Sequence, residues 1–123
     1  MDALKSSYME EYAKKHLEDI LNACREVDSY FEGRPKVFAE FSTDILRQRA
    51  VERNVEIMGE AINRIKKDFP DIEIENAREI INTRNRVIHG YDSVTPEFLW
   101  GLVIKYIPLL KTDIQIILSN ENQ

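Results

Sequence analysis

Apolar residues recur at steps of three and four along most of this chain, which is the spacing of one face of an α-helix. The first series predicts a helix over about residues 7–32, ended by Gly33 and Pro35. Its inner positions are Met9, Tyr12, His16, Ile20, Cys24, Val27 and Phe31. Because no segment alternates between apolar and polar residues as a half-buried strand would, we expect an all-α protein.

A second apolar series predicts a long helix that ends at about residue 67. Ser42 or Thr43 is its predicted N-cap, and residues 36–41 are expected to form a short helical turn just before it. One polar residue, Asn54, falls on the apolar face and therefore needs a hydrogen-bond partner. The other residues of that face are Val51, Val55, Met58, Ala61, Ile62 and Ile65.

Two further helices are predicted in the second half of the chain. Asn76 is the expected N-cap of the first, which ends at about His89, where Gly90 can adopt the left-handed conformation. Thr95 is the expected N-cap of the last helix, and Pro108 should kink it because proline removes a helical hydrogen bond. Four long helices, one short helix and short connections predict an up-and-down bundle in a single domain, residues 1–123.

Composition limits the classes of function. The chain carries 17 basic and 22 acidic residues, a net charge of −5, which argues against a broad basic surface and leaves room only for a local basic cleft. Cys24 is the single cysteine, so no internal disulfide can form, and we interpret it as a small core residue. No apolar run has the length of a signal peptide or a membrane span, so we expect a cytoplasmic protein.

Arg84 falls in the middle of the apolar face of the third helix. On a helical projection with Arg84 at zero, Ile80 lies at about −40° and Ile88 at about 40°. Asn85 and His89, four residues apart, share the adjoining edge. A guanidinium group stays charged, so it needs an anion or a wet interface: a carboxylate of its own chain, such as Glu56 or Glu60, solvent at the helix end, or the phosphate of a ligand. The spacing leaves these alternatives open.

Aromatic residues near the motif and the remaining histidine have helical spacing as well. We interpret this set as packing residues rather than as site residues: His16, Phe98, Trp100 and Tyr106.

Residues 84–91, "RNRVIHGY", contain an arginine, four residues, a histidine, one residue and a tyrosine. This pattern resembles the signature of HepT-like toxins in the HEPN superfamily. The stretch "RNVEIMGEAINRI", residues 53–65, is similar to the second-helix segment of that family, and "GYDSVTPEFLW", residues 90–100, is similar to its turn into an aromatic-bearing helix. The resemblance covers most of the chain in the expected order.

The resemblance implies an all-helical HEPN-like bundle that forms a homodimer, with the two motif helices facing a shared cleft. It also implies a metal-independent endoribonuclease with no cofactor, in which Arg84 and His89 are catalytic and Asn85 positions the substrate. In this family the enzyme is the toxin of a type VII-like toxin–antitoxin system. Its antitoxin, a minimal nucleotidyltransferase, inactivates it by transferring a nucleotide to the motif tyrosine, here Tyr91.

Two other functions are compatible with the residues. A non-catalytic RNA- or nucleotide-binding module would use Arg84 and Asn85 to hold phosphate without turnover. A purely structural helical dimer would pair Arg84 with a carboxylate of its own chain. The presence of a titratable histidine next to the arginine favours the nuclease.

Overall fold

The computed structural model describes residues 3–90 and 94–121, with side chains described for residues 10–90 and 94–120. The architecture is all-helical, as predicted: α1 Ala3–Ser29, α2 Phe38–Phe41, α3 Ile45–Asp68, α4 Arg78–His89, α5 Pro96–Gly101, a π-helical segment Leu102–Tyr106, and α6 Ile107–Glu121. None of the helices in this part of the chain combines the length and apolar character that a membrane span needs.

The N-cap of α3 is Asp44, so the prediction of Ser42 or Thr43 was wrong. The Asp44 carboxylate accepts a hydrogen bond of 3.0 Å from the backbone N–H of Arg47. The hydroxyl of Ser42 donates to the carbonyl of Ala39 at 3.0 Å, and that of Thr43 donates to the carbonyl of Glu40 at 3.2 Å. Both hydroxyls therefore close the preceding helix α2, which leaves the carboxylate to begin the next one.

Helix α4 begins at Arg78, two residues after the predicted cap Asn76. The Asn76 backbone and side-chain N–H groups donate to the Asp113 carboxylate of α6, at 3.1 and 2.7 Å. A charged acceptor on another helix competes successfully with local capping, since hydrogen bonds to ionised groups are the stronger ones. Asn76 thus ties the start of α4 to α6.

The last predicted helix is interrupted immediately before Pro108. Thr95 caps α5 as predicted, with its hydroxyl accepting from the Phe98 N–H at 3.2 Å and Pro96 in the first turn. The π-helical segment Leu102–Tyr106 then separates α5 from α6. Proline has no N–H to donate, so the α-helical ladder is broken at this point, and a wider turn is one of the standard ways to absorb the break.

The core lies between α1, α3 and the C-terminal helices. Helix α1 packs along α3 and α6, while α4 packs on the other flank of α3 and against the π-helical segment. At one end Trp100 contacts the rings of Phe31, Phe38 and Phe41, with centroids 5.3 to 6.1 Å apart, which confirms its packing role. One core prediction was wrong: Ile88 is 52% exposed. No part of the described chain covers the last turn of α4 there.

Candidate active site

The motif residues occupy the C-terminal half of α4. His89 is the last residue of the helix, and Gly90 follows with φ 67° and ψ 24°, the left-handed C-cap that the sequence predicted. Asn85 and His89 are exposed and lie one helical turn apart on the same edge. The His89 imidazole lies at the C-terminal end of α4.

Arg84 lies between α4 and α3. It is partly buried, and its aliphatic carbons pack directly against α3 at Gly59. Its Nε atom is buried and has no hydrogen-bond partner within the described part of the chain. The remainder of the side chain is partly exposed, as expected of an arginine that buries its stem and turns its head outward.

A salt bridge to Glu56 or Glu60, one of the alternatives that the sequence left open for Arg84, is absent among residues 10–90 and 94–120. Glu56 pairs instead with Arg53, at 3.5 Å on the same helix. Glu60 is exposed and lines a cavity next to α1, about 100° away from Gly59 around α3. The site therefore presents a permanent cation that no carboxylate of the described chain neutralises.

The arginines of α4 do not form one cluster. Arg86 projects about 200° from Arg84, and its guanidinium carbon lies 4.9 Å from the centroid of the Phe98 ring on α5. Arg78 is exposed and projects on the same side as Asn85 and His89, seven residues before Asn85. The basic character of the motif face therefore comes from Arg84 and Arg78.

Tyr91, the predicted modification site, lies outside the described residues. In the sequence it is two residues after His89 and directly follows the C-cap glycine.

Asn54 has the partner that its position required, although not on the motif helix. Its side-chain amide donates to the Tyr30 hydroxyl at 2.6 Å and to the Ala50 carbonyl at 3.1 Å. Tyr30 follows the end of α1, so the bond joins α1 to α3 and lies away from Arg84. The prediction that Asn54 needs a hydrogen-bond partner is confirmed, and neither of these two partners belongs to the motif helix α4.

The sequence interpretation missed two buried polar residues at the start of α3. Arg47 is 5% exposed, its Nε lies 3.2 Å from the Asp44 carboxylate, and its guanidinium carbon lies 4.9 Å from the Phe31 ring centroid. Gln48 donates to the Phe41 carbonyl at 2.9 Å. Both join α3 to the α1–α2 region. The side-chain partners do not follow from helical periodicity: Arg47 contacts a ring sixteen residues earlier, and Gln48 reaches a carbonyl of the preceding helix.

Two cavities lie away from the motif. One, of about 280 Å³, is lined by His16, Asp19, Ile57, Glu60, Ala61 and Arg64 between α1 and α3. The other, of about 480 Å³, lies under the connection between α3 and α4. His16 packs edge-on against Tyr12 with ring centroids 4.6 Å apart, in agreement with a packing role, although its buried Nε2 has no hydrogen-bond partner among residues 10–90 and 94–120. Arg84, Asn85 and His89 line neither cavity.

Cys24 is a core residue, as predicted. Its side chain is fully buried in the described structure, and burial raises the pKa of the thiol from 9.0 to about 12, with the Asp28 carboxylate acting in the same direction. A thiol that keeps its proton at neutral pH is a poor nucleophile.

The fold and the motif together define the class: a HEPN-like helical bundle with an arginine and a histidine at the exposed end of one helix. The model of the family described as "Ribonuclease HepT-like" matches residues 20–117, most of the chain. The protein belongs to the HepT-like ribonuclease family, and the resemblance inferred from the sequence is confirmed.

Relatives of known name agree with this assignment. A protein of Thermococcus cleftensis named a probable ribonuclease HepT is 37% identical over 99 residues, which cover 80% of this chain and 88% of the relative. A protein of Caldanaerobacter subterraneus subsp. tengcongensis, provisionally named an RNase, is 31% identical over 109 residues, 88% of this chain and 96% of the relative. One from Methanocaldococcus jannaschii, also provisionally named an RNase, is 30% identical over 106 residues, 85% and 94% of the two chains. No solved structure matches the chain.

Proposed function

We propose that the protein is a metal-independent endoribonuclease and the toxin of a type VII-like toxin–antitoxin system. The observation that carries the proposal is the pairing of Arg84, which no described carboxylate neutralises, with an exposed histidine five residues later at the same helix end. Family membership and the ribonuclease names of the relatives support RNA as the substrate.

Cleavage without a metal uses the ribose 2′-hydroxyl of the RNA as nucleophile. Its oxygen forms a bond to the adjacent phosphorus while the bond from phosphorus to the 5′-oxygen of the next nucleotide breaks. A base accepts the 2′-hydroxyl proton and an acid donates a proton to the leaving 5′-oxygen. The products are a 2′,3′-cyclic phosphate and a 5′-hydroxyl. Arg84 stabilises the negative charge that develops on the phosphoryl oxygens, and His89 performs proton transfer.

One chain supplies a single motif histidine, whereas the reaction requires two proton transfers. A homodimer with the two α4 helices facing a shared cleft supplies Arg84 and His89 twice, around one scissile phosphate. The exposed Ile88, 52% accessible and one turn from both Arg84 and Asn85 along the helix, supports this arrangement, because a partner subunit would bury it. Asn85 orients the phosphate or the imidazole within that cleft.

The net negative charge of the chain is compatible with RNA binding, because the proposed phosphate contact is made by one local cation, Arg84. The overall charge of −5 repels RNA at long range, whereas Arg84 is available to one phosphate and a dimer doubles it.

Inactivation is proposed to occur at Tyr91 through a minimal nucleotidyltransferase antitoxin. The tyrosine oxygen forms a bond to the α-phosphorus of a nucleoside triphosphate while the bond to the β-phosphate breaks, and pyrophosphate and the hydroxyl proton leave. The transferred nucleotide adds phosphate charge two residues from His89, and this phosphate competes with RNA for Arg84. The matching experiment treats the protein and its Tyr91→Phe variant with the partner enzyme and a nucleoside triphosphate. We expect mass addition and lost cleavage only with the tyrosine present, and inactivation of the Tyr91→Phe variant would contradict this step.

The decisive experiment is incubation of purified protein, free of antitoxin and with its mass confirming an unmodified chain, with transfer RNA and messenger RNA in EDTA. His89→Ala and Arg84→Ala variants are the controls. Cleavage that disappears in both variants is the expected result. RNA binding without cleavage would instead identify a non-catalytic RNA- or nucleotide-binding module, with Arg84 as its phosphate contact.

A further inference from the structure

Gly59 occupies a position in the middle of α3 where glycine is unfavourable for the helix itself. It is buried, it has the helix continuing on both sides, and glycine loses more backbone entropy in a helix than alanine does. A glycine in such a place calls for a packing reason, such as the close approach of another group to the helix backbone.

The group that approaches is the side chain of Arg84. A Cβ atom added at Gly59 would lie 2.8 Å from Arg84 Cβ and 3.1 Å from Arg84 Cγ, and it would overlap Arg84 Cδ. The three nearest atoms all belong to this one residue. Because real Cβ atoms do not approach carbon so closely, any larger residue at position 59 would force the arginine stem or the whole of α4 outward.

We propose that Gly59 is a positioning residue for the active site, because its missing side chain forms the recess on α3 in which the Arg84 stem lies. The recess sets the depth of the guanidinium group: Nε is buried, while the side chain as a whole keeps part of its surface exposed. A stem held on one side by helix backbone loses little further freedom when the guanidinium binds phosphate. The inference rests on the proposed function, in which Arg84 contacts the scissile phosphate.

Gly101 provides a matched control. It also has helical dihedral angles, φ −57° and ψ −40°, and is partly buried, but a Cβ atom added there meets no other atom within 4 Å. Gly101→Ala therefore makes the same chemical change at a helical glycine without touching Arg84.

The experiment compares Gly59→Ala with Gly101→Ala in protein labelled with ¹⁵N. The Arg84 Nε–H resonance, assigned by its loss in Arg84→Lys, is expected to exchange slowly with water in the unsubstituted protein and in Gly101→Ala. In Gly59→Ala it should shift and exchange fast. RNA cleavage by Gly59→Ala should fall roughly tenfold to a hundredfold, while Gly101→Ala cleaves normally.

A melting comparison covers the case in which Gly59→Ala folds poorly. Arg84→Gly removes all three close atoms, Cβ, Cγ and Cδ, so Gly59→Ala should lower Tm by about 4 °C or more in the unsubstituted protein and by less than half as much in the Arg84→Gly background.

An unchanged Arg84 resonance with normal cleavage in Gly59→Ala, or equal Tm losses in both backgrounds, would overturn the proposal. If the unsubstituted protein does not cleave RNA, the proposed function fails, and the resonance and the melting comparison still decide whether Gly59 seats Arg84.

Discussion

The side-chain amide of Asn54 donates a 2.6 Å hydrogen bond to the hydroxyl of Tyr30, which in turn lies 3.1 Å from the Glu26 carboxylate as donor. Asn54 is 1% exposed and Tyr30 is partly buried, so this bond joins α3 to the end of α1 at a place largely shielded from water at the Asn54 end. The Asn54 Oδ1 atom is buried with no hydrogen-bond partner among the described residues, which costs free energy that the two bonds of Nδ2 offset.

Tyr30→Phe should therefore lower the free energy of unfolding by about 1 kcal/mol, because the Asn54 amide loses a hydrogen-bond partner in a buried place. Urea denaturation measures the change. Tyr106→Phe is the control, since no hydrogen bond of its hydroxyl joins it to another described residue, and it should cost less than about 0.5 kcal/mol. Equal costs for the two variants would show that the bond contributes nothing net. RNA cleavage should not change, because Tyr30 lies away from α4.

Arg84→Ala should reduce RNA cleavage strongly while it changes the stability of the fold little. No ion pair with a described residue is lost, so the free energy of unfolding should change by no more than about 1 kcal/mol, while cleavage falls by about 10² to 10³. Arg86→Ala is the matched control: it loses the contact with Phe98, worth about 0.5 to 1 kcal/mol, and should keep normal cleavage. A loss of about 3 kcal/mol or more in Arg84→Ala would instead identify a structural ion pair.

Mixed dimers test whether the site is composite. Subunits with two different affinity tags, one of them carrying His89→Ala, can be purified as the heterodimer and assayed beside a doubly tagged unsubstituted dimer. If both histidines act on one phosphate, the mixed dimer should retain well below half of the control activity. Retention of half or more would mean that each chain cuts by itself.

The thiol of Cys24 should make the fold less stable at alkaline pH. Its pKa is raised to about 12 in the folded chain, against 9.0 for an unperturbed thiol, so between these values the unfolded chain binds fewer protons than the folded one. The free energy of unfolding then falls as pH rises, by at most about 1.4 kcal/mol per pH unit for this group. Burial and the Glu26 contact also raise the pKa of Tyr30, which acts in the same direction.

Urea denaturation at about pH 8, 9.5 and 10.5 measures this fall, because these values lie below and above the pKa of 9.0 at which the thiol of the unfolded chain ionises. In Cys24→Ala the free energy of unfolding should decline less over the same pH range, because of the two groups only Tyr30 then contributes to the decline. An identical slope in both proteins would contradict the buried-thiol explanation.

Local interactions determined most of what could be inferred from the sequence. The left-handed Gly90 and the Thr95 cap depend on neighbours within one or two turns, and the structure confirms them. The predicted apolar face of α3 is local in the same sense, and its residues are buried. The spacing of Arg84 and His89 is likewise a property of a single helix. The predicted N-caps Ser42 or Thr43 and Asn76 were wrong. In the first case the Asp44 carboxylate is the N-cap instead, and in the second Asn76 donates to the Asp113 carboxylate of another helix.

Tertiary packing decided the environment of each of these groups. The sequence by itself determined that a charged guanidinium lies on the apolar face of α4, because helical periodicity is a local property. Only the packing of α4 on α3 determined that Arg84 lies over Gly59 rather than beside Glu56 or Glu60, and that Ile88 is left exposed. The physical reason is that burial and pairing depend on which residue of another helix lies opposite, and that residue is distant in the sequence.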